Sequence, residues 1–366
     1  NPSPPIMRHY PLATLVLLLS GTASAQSLDT NSNTNSNTNS NTNSHSTIQY
    51  GQRAYASGMW GNGHIYDIEQ AGKKNMGWAF EVRFGTEVDL PGLNGGKLFS
   101  SDENYRVDVI HYNEGHPDNN HRDGFALQAI YNKPLSDRFS AELGFGPYYS
   151  MNTTSAIGIE RNRSNLGMLT SAAILIDIDD IVRGMHVRVA VNNVTMPGEH
   201  SSNALLVGVG KYFDYPVGST QPPFNTKPIW LGASYMHGQT NHSGTETSSG
   251  ASLEAKKFYG NWATSVSALY EGDDDVRVDR KGVAVQGWYV QPMTEDWTAS
   301  AGFGPYVAKN ARATDDYKVL ALFTLQLDYS ISKDWRAFAS FNRVNTFRDR
   351  NDRDLLKIGV SRAFGL

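Results

Sequence analysis

The 366-residue chain has no cysteine, no apolar run of eighteen residues and no long block of basic charge. Lack of cysteine excludes a disulfide-stapled scaffold, an Fe–S cluster, a thiol nucleophile and the Cys-based zinc modules. Without a long apolar run, no transmembrane helix is expected in the mature chain. A formal net charge of −4 with no basic patch argues against a nucleic-acid partner held through phosphate contacts. What is present is 39% hydrophobic residues, only 19% charged residues and 34 glycines, in a length that suits two average domains or one large all-β domain.

Met7-Arg8-His9, the apolar stretch Leu12 to Leu19 and the small triplet Ala23-Ser24-Ala25 predict a secretory signal peptide. The expected cut follows Ala25, and Gln26 stands where a lipoprotein needs cysteine. Residues 1–25 are therefore read as signal peptide with upstream residues. Asn31 to Ser44 alternates Asn with Ser or Thr and contains nothing apolar, so 26–50 is expected to be a disordered tether. Residues 51–77 are assigned to a periplasmic N-terminal segment.

From Trp78 onward the apolar period is two. Val187, Val189 and Val191 interleave with Arg188, Ala190 and Asn192; Phe323, Leu325 and Leu327 interleave with Thr324, Gln326 and Asp328. Strands with one apolar and one polar face follow. The chain also repeats itself. Gly144-Phe145-Gly146-Pro147-Tyr148 returns as Gly302-Phe303-Gly304-Pro305-Tyr306, with Gln128 and Tyr131 matching Gln286 and Tyr289. Pairing Trp78 with Trp230 and Phe213 with Phe364 sets repeat one at 78–213, a linker or long turn at 214–229 and repeat two at 230–366. Eight strands are expected in each. Those of the first lie near 78–85, 97–101, 105–113, 124–133, 139–151, 167–178, 186–195 and 204–213, and those of the second near 230–237, 251–259, 262–270, 282–291, 297–308, 318–329, 335–344 and 355–364.

Tight turns at 134–137, 292–296 and 330–334 alternate with long polar connections at 114–123, 152–166, 196–203, 238–250, 271–281 and 345–354. Short turns on one side and long loops on the other are the pattern of outer-membrane barrels. Tyr131, Phe139, Phe213, Tyr289, Trp297, Trp335 and Phe364 fall at strand ends beside the short turns, where an interfacial aromatic girdle is expected. The last strand, with Leu356, Ile358, Val360, Arg362, Phe364 and Leu366 on one face, resembles the C-terminal recognition strand of Gram-negative outer-membrane proteins. The fold class expected is all-β, a transmembrane antiparallel β-barrel of sixteen strands from two eight-stranded repeats. One sixteen-stranded barrel is preferred to two closed ones, since tandem barrels need two separate insertions. The prolines of 214–228 suit either a linker or a long turn.

Alternation turns Glu114, Gln128, Glu142, Arg188, Asn192, Glu271, Gln286, Arg336 and Asn342 inward, as lumen-lining residues or as hydrogen-bonded filler. Glu199-His200-Ser201-Ser202-Asn203-Ala204 resembles, in its His-x-Ser-Asn-Ala spacing, a motif of lipid A 3-O-deacylases, eight-stranded outer-membrane hydrolases. That resemblance implies a His200-activated serine for acyl transfer. Copy two has Arg350-Asn351-Asp352 at the matching loop and no serine, and catalysis is not the expected role. His116 with His121, His237 with His242, and Asp273-Asp274-Asp275 lie in outer loops where cations could collect, with solvated loops as the simpler reading. No metal or cofactor is assigned.

In its duplicated barrel, small loops and N-terminal tether the chain is similar to the barrel components of exopolysaccharide secretion systems. The expectation is an outer-membrane channel of a Gram-negative bacterium passing polar material, with exopolysaccharide as cargo. Its partners would be outer-membrane lipid and a periplasmic polysaccharide-export protein. A lipid A acyl hydrolase, a general porin and a structural barrel are the alternatives.

Overall fold

All regular secondary structure in the computed structural model is β. It describes residues 53–66, 76–88, 104–115, 120–156, 159–182, 184–213, 226–240, 246–347 and 351–365. The signal-like segment, the tether and the expected strand at 97–101 lie outside the described residues, as does most of the linker.

Sixteen strands are present among the described residues. The first eight are β1 Ala54–Ile65, β2 Met76–Glu87, β3 Asn104–Gly115, β4 Asn120–Pro134, β5 Phe139–Ala156, β6 Ile159–Asp177, β7 Met185–Thr195 and β8 Ser202–Phe213. The second eight are β9 Ile229–Thr240, β10 Thr247–Tyr259, β11 Trp262–Asp273, β12 Asp279–Pro292, β13 Trp297–Asn310, β14 Thr314–Ser330, β15 Trp335–Asn345 and β16 Arg353–Phe364. They do not close as one wide barrel. β8 returns to pair antiparallel with β1, Phe213 opposite Ala54, and β16 returns to β9, Phe364 opposite Ile229. The result is two closed eight-stranded antiparallel barrels. Closure in eights leaves neither half with an unpaired edge.

β1 corrects the expected boundaries. It lies inside the segment read as periplasmic, so the first repeat begins at Ala54 and Trp230 of β9 corresponds to β1, not to Trp78 of β2. The long outer connections are also shorter than expected. β5 and β6, of 18 and 19 residues, run on through most of 152–166 as a projecting hairpin.

The period of two decides which way each residue faces. In β11 the outward Trp262, Thr264, Val266, Ala268 and Tyr270 are exposed, and the inward Ala263, Ser265, Ser267, Leu269 and Glu271 are buried. Three inner turns share one chemistry. The amides of Leu135, Met293 and Ile331 donate to the carbonyls of Phe139, Trp297 and Trp335 at 2.8, 2.9 and 3.0 Å. The repeated Gly146 and Gly304 each sit against a neighbouring strand so closely that a Cβ would lie 1.9 Å from the carbonyl oxygens of Leu127 and Val285. Only glycine permits that approach, which bends β5 onto β4 and β13 onto β12.

Most of the outer wall is apolar and open, with Leu127, Leu143, Val266, Val283 and Ile358 all exposed. One side of each barrel departs from this. Outward residues of β1 to β6 meet outward residues of β13 to β15 in a seam. At its inner end, where β1 starts and β8 stops, Ala54, Ala56 and Phe213 cluster with Met293, Ala299 and Leu327. Higher up, Phe125 stacks on Phe323 at 5.0 Å and His111 lies 4.8 Å from the Phe341 ring. Near the outer end the Arg343 guanidinium donates to both Asp123 oxygens at 2.8 and 3.0 Å, with both side chains almost fully buried. Tyr149 and Ser164 bond to Asn345 beside them.

Candidate functional site

The chemistry-bearing residues lie inside the barrels. Each interior has two levels. The outer half of the first is filled by Met59, Ile110, Tyr112, Tyr148, Leu169 and Leu206 with their neighbours. That of the second is filled by Met236, Leu269, Tyr306, Leu320, Leu322, Val344 and Leu355. All of these are inward positions on their strands, so each barrel is closed across its outer half by packed side chains.

The inner half of the first barrel holds a closed ring of six charges alternating in sign. Arg83 bonds Glu81 at 2.7 Å and Asp108 at 2.9 Å; Arg106 bonds Asp108 at 2.6 Å and Glu142 at 2.8 Å. Arg188 completes the circuit to Glu81 and Glu142, both at 3.1 Å. Asn192 donates to Glu81 at 2.7 Å, and the Arg106 guanidinium lies 3.7 Å over the Tyr55 ring. A fully buried charge is tolerable only when paired and hydrogen-bonded, and here every member has two opposite partners.

Strand order and register give each ring position its counterpart in the second barrel. Glu81, Arg83, Arg106, Asp108, Glu142 and Arg188 correspond to Ser252, Glu254, Ala263, Ser265, Ser300 and Phe338. The ring is absent, and serine stands at three of its six positions. Gln286 donates to the Leu322 carbonyl at 3.3 Å and to Thr324 at 3.0 Å, and Asn342 donates to Ser340 at 3.0 Å. Arg336 stands 2.9 Å from Asp328 and over the Trp230 and Phe258 rings.

Just beneath each outer mouth a Glu–Arg pair repeats. Arg122 lies 3.0 Å from Glu114, and Arg280 grips Glu271 at 2.6 and 2.8 Å. All nine residues expected to face a lumen do face inward and are buried. They line filled interiors and not one wide wet channel, because an eight-stranded barrel is narrow enough for its own side chains to occupy.

The expected girdle is partly redirected. Phe139, Trp335 and Phe364 are exposed on the outer wall. Tyr131 rests on Tyr105 at 5.7 Å, and Tyr289 meets Trp262 edge-on at 5.5 Å. Phe213 and Trp297 instead pack in the seam, since the other barrel covers the face they occupy.

Ser202 points into the first barrel and donates its hydroxyl to Glu114. The His200 side chain is exposed, and its carbonyl accepts from Arg122 at 2.5 Å. Histidine and serine thus diverge. His116 and His242 lie outside the described residues, as do the side chain of His121 and with it that pair's geometry. Asp274 uses one oxygen to accept the amides of Val276, Arg277 and Val278, and Asp273 is bound by Arg312. Burial disfavours the Asp274 charge, but those amides and the Thr240 hydroxyl outweigh it and hold its pKa down to about 2. The carboxylates of this turn serve backbone and arginine. Sequence reasoning leaves Asp123 in the polar connection 114–123 and so misses the seam ion pair; its one signal is charge at Arg343, a position that alternation turns outward toward lipid.

Sealed interiors, an apolar outer wall and antiparallel closure define an all-β protein with the architecture of transmembrane β-barrels, present twice in one chain. No family model matches the sequence, and no curated protein matches it. Among solved structures, Neisserial surface protein A is similar over 43% of this chain and 96% of its own, at 11% identity and a TM-score of 0.31. The N-terminal β-barrel domain of Pseudomonas aeruginosa OprF is similar over 44% of this chain and 98% of its own, at 12% identity and a TM-score of 0.30. The P. putida toluene transporter TodX is similar over 87% of this chain and 91% of its own, at 8% identity and a TM-score of 0.24. Likenesses this distant say nothing of function.

Proposed function

We propose that this chain stands in the outer membrane of a Gram-negative bacterium as a joined pair of sealed barrels and works through the hairpins it presents outside. The observation that carries this reading is the filling of both outer halves by packed apolar side chains. A polysaccharide chain needs an open, wetted route, and an eight-stranded barrel encloses only side chains or one small ligand. Exopolysaccharide export depended on a single sixteen-stranded barrel and is not retained. A deacylase role would need His200 against a serine hydroxyl, whereas Ser202 is turned inward onto Glu114. Among the described residues the most prominent outer feature is the β5–β6 hairpin, and a membrane-anchored display role fits it.

The test is planar-bilayer conductance of the refolded mature protein, with and without added oligosaccharide. Membranes that stay electrically tight are expected. Large, stable current steps that sugar blocks would overturn the sealed-barrel reading.

A further inference from the structure

The inner level of the second barrel is less completely filled than that of the first, although Trp230, Phe258, Ala263, Trp288 and Val290 pack one side of it. Glu81, Arg83, Asp108, Gln128 and Arg188 retain no exposed surface at all. At the same level of the second barrel the inward Ser234, Ser252, Ser300, Gln326 and Lys357 each retain 7 or 8%. Gly232, Phe338, Gly359 and Ser361, also inward and nearer the inner end, are half-buried, so solvent reaches this level from that end. The packed cluster around Met236 and Leu355 closes it above. The second barrel therefore holds a blind polar cup beside that aromatic cluster, reached from the inner end past Phe338 and Ser361.

Its charges do not balance. Lys256 pairs with Glu254 at 3.1 Å and Arg336 with Asp328 at 2.9 Å. Lys357 is left over. It is more than nine-tenths buried, stands opposite Ser340 in the strand register and has no carboxylate within ion-pair distance among the described residues. In the first barrel the same position is Leu206, opposite Ala190. Two further hydroxyls of this level, on Thr298 and Ser300, are buried without a hydrogen-bond partner. A buried ammonium outside ion-pair distance of any described carboxylate and orphan hydroxyls are costly features, and a bound group that supplies one negative charge and several hydroxyls would satisfy them together.

We propose that this cup binds a small hydroxylated carboxylate, of the sugar-acid class, entering from the inner end. Lys357 takes the carboxylate. Ser234, Ser252, Ser300 and Gln326 exchange hydrogen bonds with the hydroxyls. Trp288, whose indole nitrogen donates to Ser265 at 2.9 Å and whose ring carries the Lys256 ammonium at 3.4 Å, belongs to the packed cluster beside the cup. Holding one small ligand is within the capacity of an eight-stranded barrel, and the site exists whether or not either barrel conducts.

The test is isothermal titration of the refolded full-length protein with galacturonate, against galactose and acetate as partial probes. Saturable galacturonate binding is expected, with galactose and acetate at least tenfold weaker. Lys357→Met removes the charge and keeps the volume, and it should weaken galacturonate at least tenfold. Ser234→Leu fills the cup without touching the charge and should do the same. Heat-modifiable migration on gels reports whether each variant is folded, and either variant alone decides the matter. Absence of saturable galacturonate binding by the wild type overturns the proposal. So does unchanged binding in a folded variant, or equal binding of galactose or acetate.

Discussion

The two barrels share strand order, the Gly-Phe-Gly-Pro-Tyr strand and the Glu–Arg pair below the mouth, yet fill their inner halves by opposite means. The first uses a ring in which three arginines and three carboxylates neutralise one another. The second uses hydroxyls, amides, two separate ion pairs and an aromatic cluster, and leaves Lys357 without an ion-pair partner among the described residues. The backbone frame therefore does not dictate the chemistry of the interior. Duplication preserves what closes the barrel, namely glycines at close approaches and alternation of faces, and leaves the inward positions free to diverge.

The contrast is tested most severely by removing one cation from each interior. Arg188→Met opens the ring and leaves Glu81 and Glu142 each short of a partner, a change expected to cost about 3–5 kcal/mol. Lys357→Met removes a buried charge that has no ion-pair partner among the described residues, and should be neutral or stabilising by about 1 kcal/mol. Denaturant titration of both variants in the same detergent measures this. Equal losses would show that Lys357 is compensated within the protein and would erase the distinction between the interiors.

Next in size is the shared glycine. Gly146→Ala and Gly304→Ala each push a Cβ onto a carbonyl oxygen, and each is expected to destabilise its barrel by about 3 kcal/mol. Gly287→Ala, on β12 with nothing within 4 Å of the added Cβ, is the control and should change stability by less than about 0.5 kcal/mol. A mild effect at only one of the two repeated glycines would mean that the barrels are not bent in the same way.

The seam asks whether the two barrels are independent at all. Its outer end hides Asp123 and Arg343 on faces that would otherwise meet lipid, where an unpaired charge is expensive. Asp123→Ala and Arg343→Met should each cost about 2–3 kcal/mol, and the double variant distinctly less than their sum. With a protease site placed in 214–225, the cut halves of the wild type should co-elute and those of Arg343→Met should separate. Additive single costs, or halves that separate in the wild type, would make the seam incidental.

These contrasts also explain what could be read from the sequence. Alternation of faces is local, so the strands from β2 onward and all nine inward residues are visible in the order of side chains. Closure is not local. Sixteen alternating strands are equally compatible with one barrel or two, and the choice lies in whether β8 pairs with β1, residues about 150 apart in the chain. β1 itself was missed because AYASGMWGNGHI contains three glycines, and part of its outer face is covered by the seam, so its apolar pattern is blurred. Pairing Trp78 with Trp230 then displaced the repeat by one strand. The seam was hidden for a related reason. Outward Phe125, Phe323 and Phe341 look the same in sequence whether lipid or another barrel covers them.

The smallest expected effect lies at the β11–β12 turn, where a charge is met by backbone and not by an opposite charge. Asp274 is held near a pKa of about 2, below its ordinary 3.8, by amides of its own turn and by Thr240. A carboxylate whose pKa is depressed on folding adds stability above its unfolded pKa and loses it as pH falls through the folded one. The turn should therefore be at full strength above about pH 4.5 and weaken toward pH 2. Allowing for solvent screening, about 1 kcal/mol is at stake. Hydrogen exchange of the Val276, Arg277 and Val278 amides should accelerate over that window beyond the intrinsic pH dependence, and Asp274→Asn should flatten the response. The ring of the first barrel provides the reference. Amides of β2 and β3 belong to the other barrel and do not touch Asp274, so Asp274→Asn should leave their exchange unchanged. Altered exchange in both regions would mean that the acid-sensitive element is not confined to this turn.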